Sequence, residues 1–121
     1  LSITGRLDMS SIEDEVCEDM RNHNNAKSDV GEEAVENLVE KIQERAKMGH
    51  EKYGTTMDRK DLTETEWETH LEEELMDAAI YMTKLRTLNT DKWWFTRISG
   101  GLYWMIIRQL IIMEMDKLAD K

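Results

Sequence analysis

Residues Thr63–Leu88, TETEWETHLEEELMDAAIYMTKLRTL, decide the fold class. Thr63 is a good helix N-cap, Glu66 three positions on completes a capping box, and Leu62 and Trp67 stand at the two positions of a hydrophobic staple. Trp67, Leu71, Leu75, Ala78, Met82 and Leu85 then recur at three- and four-residue steps, which predicts an amphipathic helix with one side against a core. Glu74 falls at the edge of that stripe, and His70, Asp77 and Tyr81 follow down the same flank; Glu66, Glu68 and Glu72 point elsewhere and read as solvated charges. A carboxylate where burial begins is costly without a cation, a proton or a donor. A single such Glu is explained by water or a nearby Lys. The pair Glu74 and Asp77, one turn apart with Glu73 beside them, suits a divalent cation that removes their repulsion.

Upstream, Ser28 or Asp29 can cap a second long helix running to about Met48, with Ala34, Val35, Leu38, Val39, Ile42 and Ala46 as its apolar face. Its first turns read Glu32, Glu33, Ala34, Val35, Glu36, an EExxE pattern continuing to Glu40 and Glu44. Acids at a helix N-terminus complement the macrodipole, which by itself accounts for Glu32 and Glu33. Between the two helices, Gly49–Asp61 (GHEKYGTTMDRKD) reads as a loop carrying His50, Lys52, Arg59 and Lys60. It is either a solvated connection or a phosphate clamp, with Tyr53 or Trp67 offering an aromatic face to a base. If the two helices pack antiparallel about Thr55, Glu36 lies level with Glu74 and Glu33 with Asp77, although Glu33 and Glu36 fall largely on the polar side of their helix.

Further out, Leu1 to Met9 shows no sustained period and reads as a lead-in. Ser10 and Ser11 precede Glu13 and Asp14 at the head of a short helix with Ile12, Val16 and Met20, ending in Asn22–Asn25. Cys17 and His23 read as packing and surface residues. After Asn89, Thr90 or Asp91 can cap a last helical region (91–121) through Trp93, Trp94 and Phe95, where Gly100 and Gly101 either break the helix or permit close backbone approach. From Leu102 to Met115 apolar residues spread over most of the circumference, too many for one face of a monomer. Either a second chain covers the surplus or it is trapped under Trp93 and Trp94. A homo-oligomer, dimer or tetramer, is the expected outcome.

The chain has 121 residues, no proline, six glycines and one phenylalanine, which points to one all-α domain, an antiparallel bundle of about four helices. A formal charge of −10 argues against a direct grip on nucleic acid and shifts the question to metals. The single cysteine excludes an intramolecular disulfide and suits a reducing compartment. The most apolar run, Ile98 to Met113, is interrupted by Arg108, so no membrane partner is expected.

With EEAVE on one helix, EELMDAAIY on the next and a glycine-bearing segment between, residues 29–88 resemble the all-α nucleoside triphosphate pyrophosphatases, the MazG-like superfamily, and look most like its small phage-type members. The family signature is EExxE followed by ExxD. The gap between the halves is longer here, the extra length lying in Gly49–Asp61. The resemblance implies a Mg²⁺ site, or Mn²⁺ in its place, on Glu33, Glu36, Glu74 and Asp77, with Glu40 and Glu73 as substitutes. Glu36, Glu74 and Asp77 would be the catalytic carboxylates. Lys52, Tyr53, Arg59, Lys60, Trp67, His70, Tyr81 and Lys84, with Arg45 as a further candidate, would bind a nucleotide cleaved to monophosphate and pyrophosphate. A cytoplasmic location is implied, that of the host for a phage-encoded chain. Two other classes compete. An acidic helical binding protein occupying a cationic surface needs charge but no metal. A di-iron bundle needs ExxH pairs, and none of His23, His50 and His70 has a Glu three residues before it.

Overall fold

The computed structural model describes residues 11–54 and 57–119, with the Tyr53 side chain excepted. The lead-in 1–9 therefore lies outside the described residues. The described chain is helical with no strand, and it divides into two compact units, Leu1–Asp61 and Leu62–Lys121. Four helices of ten residues or more carry it, as the composition predicts.

In the first unit, α1 (Ile12–Arg21) opens on Ser11, whose hydroxyl accepts from the Asp14 N–H while the Asp14 carboxylate accepts from the Ser11 N–H. This capping box satisfies two amides that a helix start leaves orphaned. A 3₁₀ turn, Asn24–Lys27, follows, with His23 Nδ1 accepting from the Asn25 N–H at 3.0 Å. Ser28 then caps α2 (Asp29–Tyr53), its hydroxyl accepting from the Gly31 N–H. A Cβ on Gly31 would stand 1.9 Å from the Asn25 carbonyl oxygen, so only glycine lets the turn fold back onto the helix start. Cys17, Ala26 and Val39, one residue each from α1, the turn and α2, form the buried core where α1 packs on α2. Cys17 is thus a packing residue, as its lack of nearby ligands suggests.

The helix α2 extends five residues beyond the expected stop at Met48. With no proline to end it, Gly49 costs the helix only about 1 kcal/mol, less than its neighbours supply. The actual stop is Gly54, at φ 73°, whose N–H donates to the His50 carbonyl. His50 and Lys52 accordingly ride on the last helical turn, not in a loop, and complement the dipole there. Beyond it, Asp58 accepts from the Ile12 N–H and ties the end of the unit to the start of α1.

In the second unit, Thr63 and Glu66 form the expected capping box at the head of α3 (Glu64–Thr87). The chain turns at Asn89, φ 52°, then makes one helical turn (Phe95–Arg97), a π-helical turn (Ile98–Leu102) and α4 (Tyr103–Ala119). Neither Thr90 nor Asp91 caps this region. The Thr90 hydroxyl accepts from Lys92 two residues on, a local turn that competes with helix, and the helical path starts at Phe95 with no side-chain cap. Gly100 and Gly101 neither end the path nor approach another backbone. They sit in the π turn with nothing within 4 Å of an added Cβ.

α4 runs antiparallel to α3, since Lys117 meets Glu72 at one end and Arg86 lies over Tyr103 at the other. Ile106 is the buried centre of their contact. Of the α3 stripe, Trp67, Leu75, Ala78, Met82 and Leu85 are half-buried, but Leu71 is exposed. One neighbouring helix covers only part of a stripe this broad. α4 itself has two apolar faces. Ile106, Leu110 and Met113 turn toward α3, while Trp104, Ile111, Met115 and Leu118 remain exposed on the other side.

Candidate functional site

The carboxylates implied as metal ligands are shared between the units, Glu33 and Glu36 on α2 and Glu74 and Asp77 on α3. In the first unit, Glu32 and Glu33 are exposed in the opening turns of α2. Glu36 is not solitary. Arg21, at the last position of α1, donates from Nε to Oε2 at 2.9 Å and from Nη2 to Oε1 at 3.1 Å. This two-pronged bond holds the Glu36 carboxyl below the usual carboxylate range and raises the Arg21 guanidinium further. An incoming cation would have to displace Arg21 from Glu36. Glu40, one turn on, is exposed.

Of the cations read as phosphate ligands, Lys52 is on the last turn of α2 and exposed, as is Lys60 beyond it, and Arg45 is exposed on α2. Arg59 is committed locally: its guanidinium donates from Nε to Asp61 Oδ1 at 2.6 Å and from Nη2 to Oδ2, and so holds the Asp61 carboxyl low. The Tyr53 side chain lies outside the described residues.

In the second unit, Glu74 and Asp77 are adjacent by helical spacing and both exposed. They therefore do not sit where burial begins, and mutual repulsion, not desolvation, is what a cation would relieve. Glu73 Oε1 stands 3.5 Å from His70 Nδ1, and the His70 ring meets the edge of Trp67 at 5.8 Å. Tyr81 and Lys84 project to solvent lower on the same helix.

Glu72 overturns its sequence reading. It is not a solvated charge: its side chain is only 15% exposed, and both carboxylate oxygens accept from Lys117 Nζ at 2.8 Å. No local signal identifies this pair, because the two residues come together only when α4 docks on α3. Among the described residues, neither unit by itself gathers three His, Cys, Asp or Glu side chains in a metal-binding group. The available donors are carboxylate oxygens, the hard ligands that suit Mg²⁺ or Mn²⁺ over softer ions.

No protein-family model matches the chain, and neither a curated protein nor a solved structure shows a significant match to it.

Proposed function

We propose that the chain is a Mg²⁺-dependent nucleoside triphosphate pyrophosphohydrolase of the MazG-like type. The observation that carries this reading is the pairing of EExxE in the opening turns of α2 with ExxD on α3, two long consecutive helices of an all-helical chain. Glu33 and Glu36 with Glu74 and Asp77 would hold the ion, Glu36 exchanging Arg21 for it. The bound ion would offset the triphosphate charge and make a water more acidic. Lys52, Lys60 and Lys84 would hold phosphate oxygens, and Arg59 would join them by leaving Asp61. Trp67 or Tyr53 would stack on the base, with His70 and Tyr81 on the same flank of α3 as the carboxylates. Water adds to the α-phosphorus, the bond to the α/β bridging oxygen breaks, and pyrophosphate leaves with that oxygen. The products are a nucleoside monophosphate and pyrophosphate.

The chain would work as a homo-oligomer in the cytoplasm, a second copy covering the exposed stripe Trp104, Ile111, Met115 and Leu118 of α4. Their 4- and 3-residue steps continue through Arg108 in the spacing of a coiled-coil seam.

The test is incubation of the purified protein with each common NTP and dNTP plus Mg²⁺, following monophosphate and pyrophosphate, with Glu74→Gln beside it. Release of pyrophosphate that the variant loses is the expected result. Silence across the panel from folded protein would favour an acidic helical binding protein instead.

A further inference from the structure

The charge of this chain is segregated. Between Ala78 and Met113 stand Lys84, Arg86, Lys92, Arg97 and Arg108 against a single acid, Asp91, in a chain whose formal charge is −10. Four of these cations gather at one end of the second unit, where the last turn of α3, the connection 88–94 and the π turn come together. Lys84 and Arg86 in the last turn of α3 complement its dipole. Lys92 and Arg97 have no such explanation, and both are exposed.

The same end carries apolar side chains held in water. Trp93 is 74% exposed, Leu88 62% and Leu102 44%, and Trp94 projects beside them. The Arg97 guanidinium lies 5.5 Å from the Trp93 ring centre, and Arg86 lies 5.6 Å from that of Tyr103, so cation and aromatic are interleaved, not merely adjacent in sequence. A partner that satisfies both halves must be anionic at its surface and apolar just beneath it. An anionic lipid headgroup layer has that profile: indoles settle at the headgroup level and Lys or Arg pair with phosphates above the acyl boundary. A single-stranded nucleic acid would use the rings and cations but would leave Leu88 and Leu102 in water.

We propose that this end of the second unit, built on Lys92, Trp93 and Arg97, is a peripheral docking surface for anionic lipid headgroups. No helix among the described residues is long and apolar enough to cross a membrane. The proposal departs from the sequence reading, which expects no membrane partner, because that reading weighs only spanning segments, whereas this contact is confined to the headgroup layer. It is independent of the carboxylates of α2 and α3.

The experiment is co-sedimentation of the full chain with phosphatidylcholine vesicles, with and without phosphatidylglycerol, at low and high salt. The expected result is binding to the anionic vesicles only, weakened by salt, with a blue shift of tryptophan emission. Lys92→Glu with Arg97→Glu should weaken it by at least about tenfold, since each cation near an anionic surface adds roughly fivefold. Trp93→Ser should weaken it without changing its salt dependence. Lys41→Glu with Lys47→Glu, the same charge change on exposed positions of α2, should bind within about twofold of the parent, helix content by circular dichroism confirming that each variant is folded. If the double variant unfolds, Arg97→Gln serves in its place. Equal binding to neutral vesicles, loss in both double variants alike, or binding to a single-stranded oligonucleotide but to no vesicle would each overturn the proposal.

Discussion

Lys117 on α4 donates to both carboxylate oxygens of Glu72 on α3, at 2.8 Å each, and so pins the C-terminal part of α4 to the N-terminal half of its partner helix. Glu114, one turn before Lys117, stands 3.5 Å away and adds to the field. Lys117→Glu places two carboxylates where one pair was and should lower the melting temperature more than Lys117→Ala. Exchanging the charges, with Glu72→Lys added, should recover part of the loss. The bond to Glu72 raises the Lys117 ammonium above its ordinary value. Its stabilisation is therefore present below the ordinary lysine value and lost as pH rises through the raised one. Melting curves of the three variants across alkaline pH check both statements.

The Arg21–Glu36 pair should act at the other end of the pH scale. Glu36 is held below the ordinary carboxylate range, so its contribution is present above that range and disappears as pH falls through the lowered value. The difference in melting temperature between the parent and Glu36→Gln should thus be full at neutral pH and shrink to nothing in acid. If Glu36 is a metal ligand as proposed, Arg21→Ala removes its competitor and should tighten Mg²⁺ binding, measured by calorimetry or by the Mg²⁺-dependent rise in melting temperature.

Gly31→Ala should destabilise the first unit by about 2 kcal/mol, because its methyl would collide with the Asn25 carbonyl oxygen, a backbone atom that moves only with the whole 3₁₀ turn. Urea denaturation gives the value directly. A neutral result would mean that the turn does not fold onto α2 as described.

Two other glycines should respond in opposite directions. Gly49 lies within α2 with open space at its Cβ position, so Gly49→Ala should stabilise by about 0.5–1 kcal/mol. Gly54 ends the helix at φ 73°, where a side chain is strained, and Gly54→Ala should cost about 1 kcal/mol. The same denaturation series separates the two.

The exposed stripe of α4 should govern assembly. Ile111→Glu with Met115→Glu changes two exposed positions and should leave helix content intact while shifting the sedimenting species toward monomer. A parent that already sediments as a monomer at high concentration would remove the case for a second copy on this face.

The sequence by itself determined the helices and most of their starts. Ser11 with Asp14, Ser28, and Thr63 with Glu66 each speak to amides two or three residues away, and such caps are legible because both partners lie within one turn. Helix ends and long-range partners were decided by more than local pattern. Gly49 reads as a stop, yet a helix tolerates one glycine when the turns on both sides hold, and α2 runs on to Gly54. Glu36 and Glu72 illustrate the same limit at the level of single side chains. A helical wheel puts Glu36 on the polar side of its helix and Glu72 among the solvated charges, yet Glu72 is half-buried and Leu71 beside it exposed, because the wheel contains no second helix. Only the packing of α1 on α2 brought Arg21 to Glu36, and only the packing of α4 on α3 brought Lys117 to Glu72 across 45 residues of chain. Charge pairing between distant residues leaves no period in the sequence, because it depends on where two helices cross and not on how either one repeats.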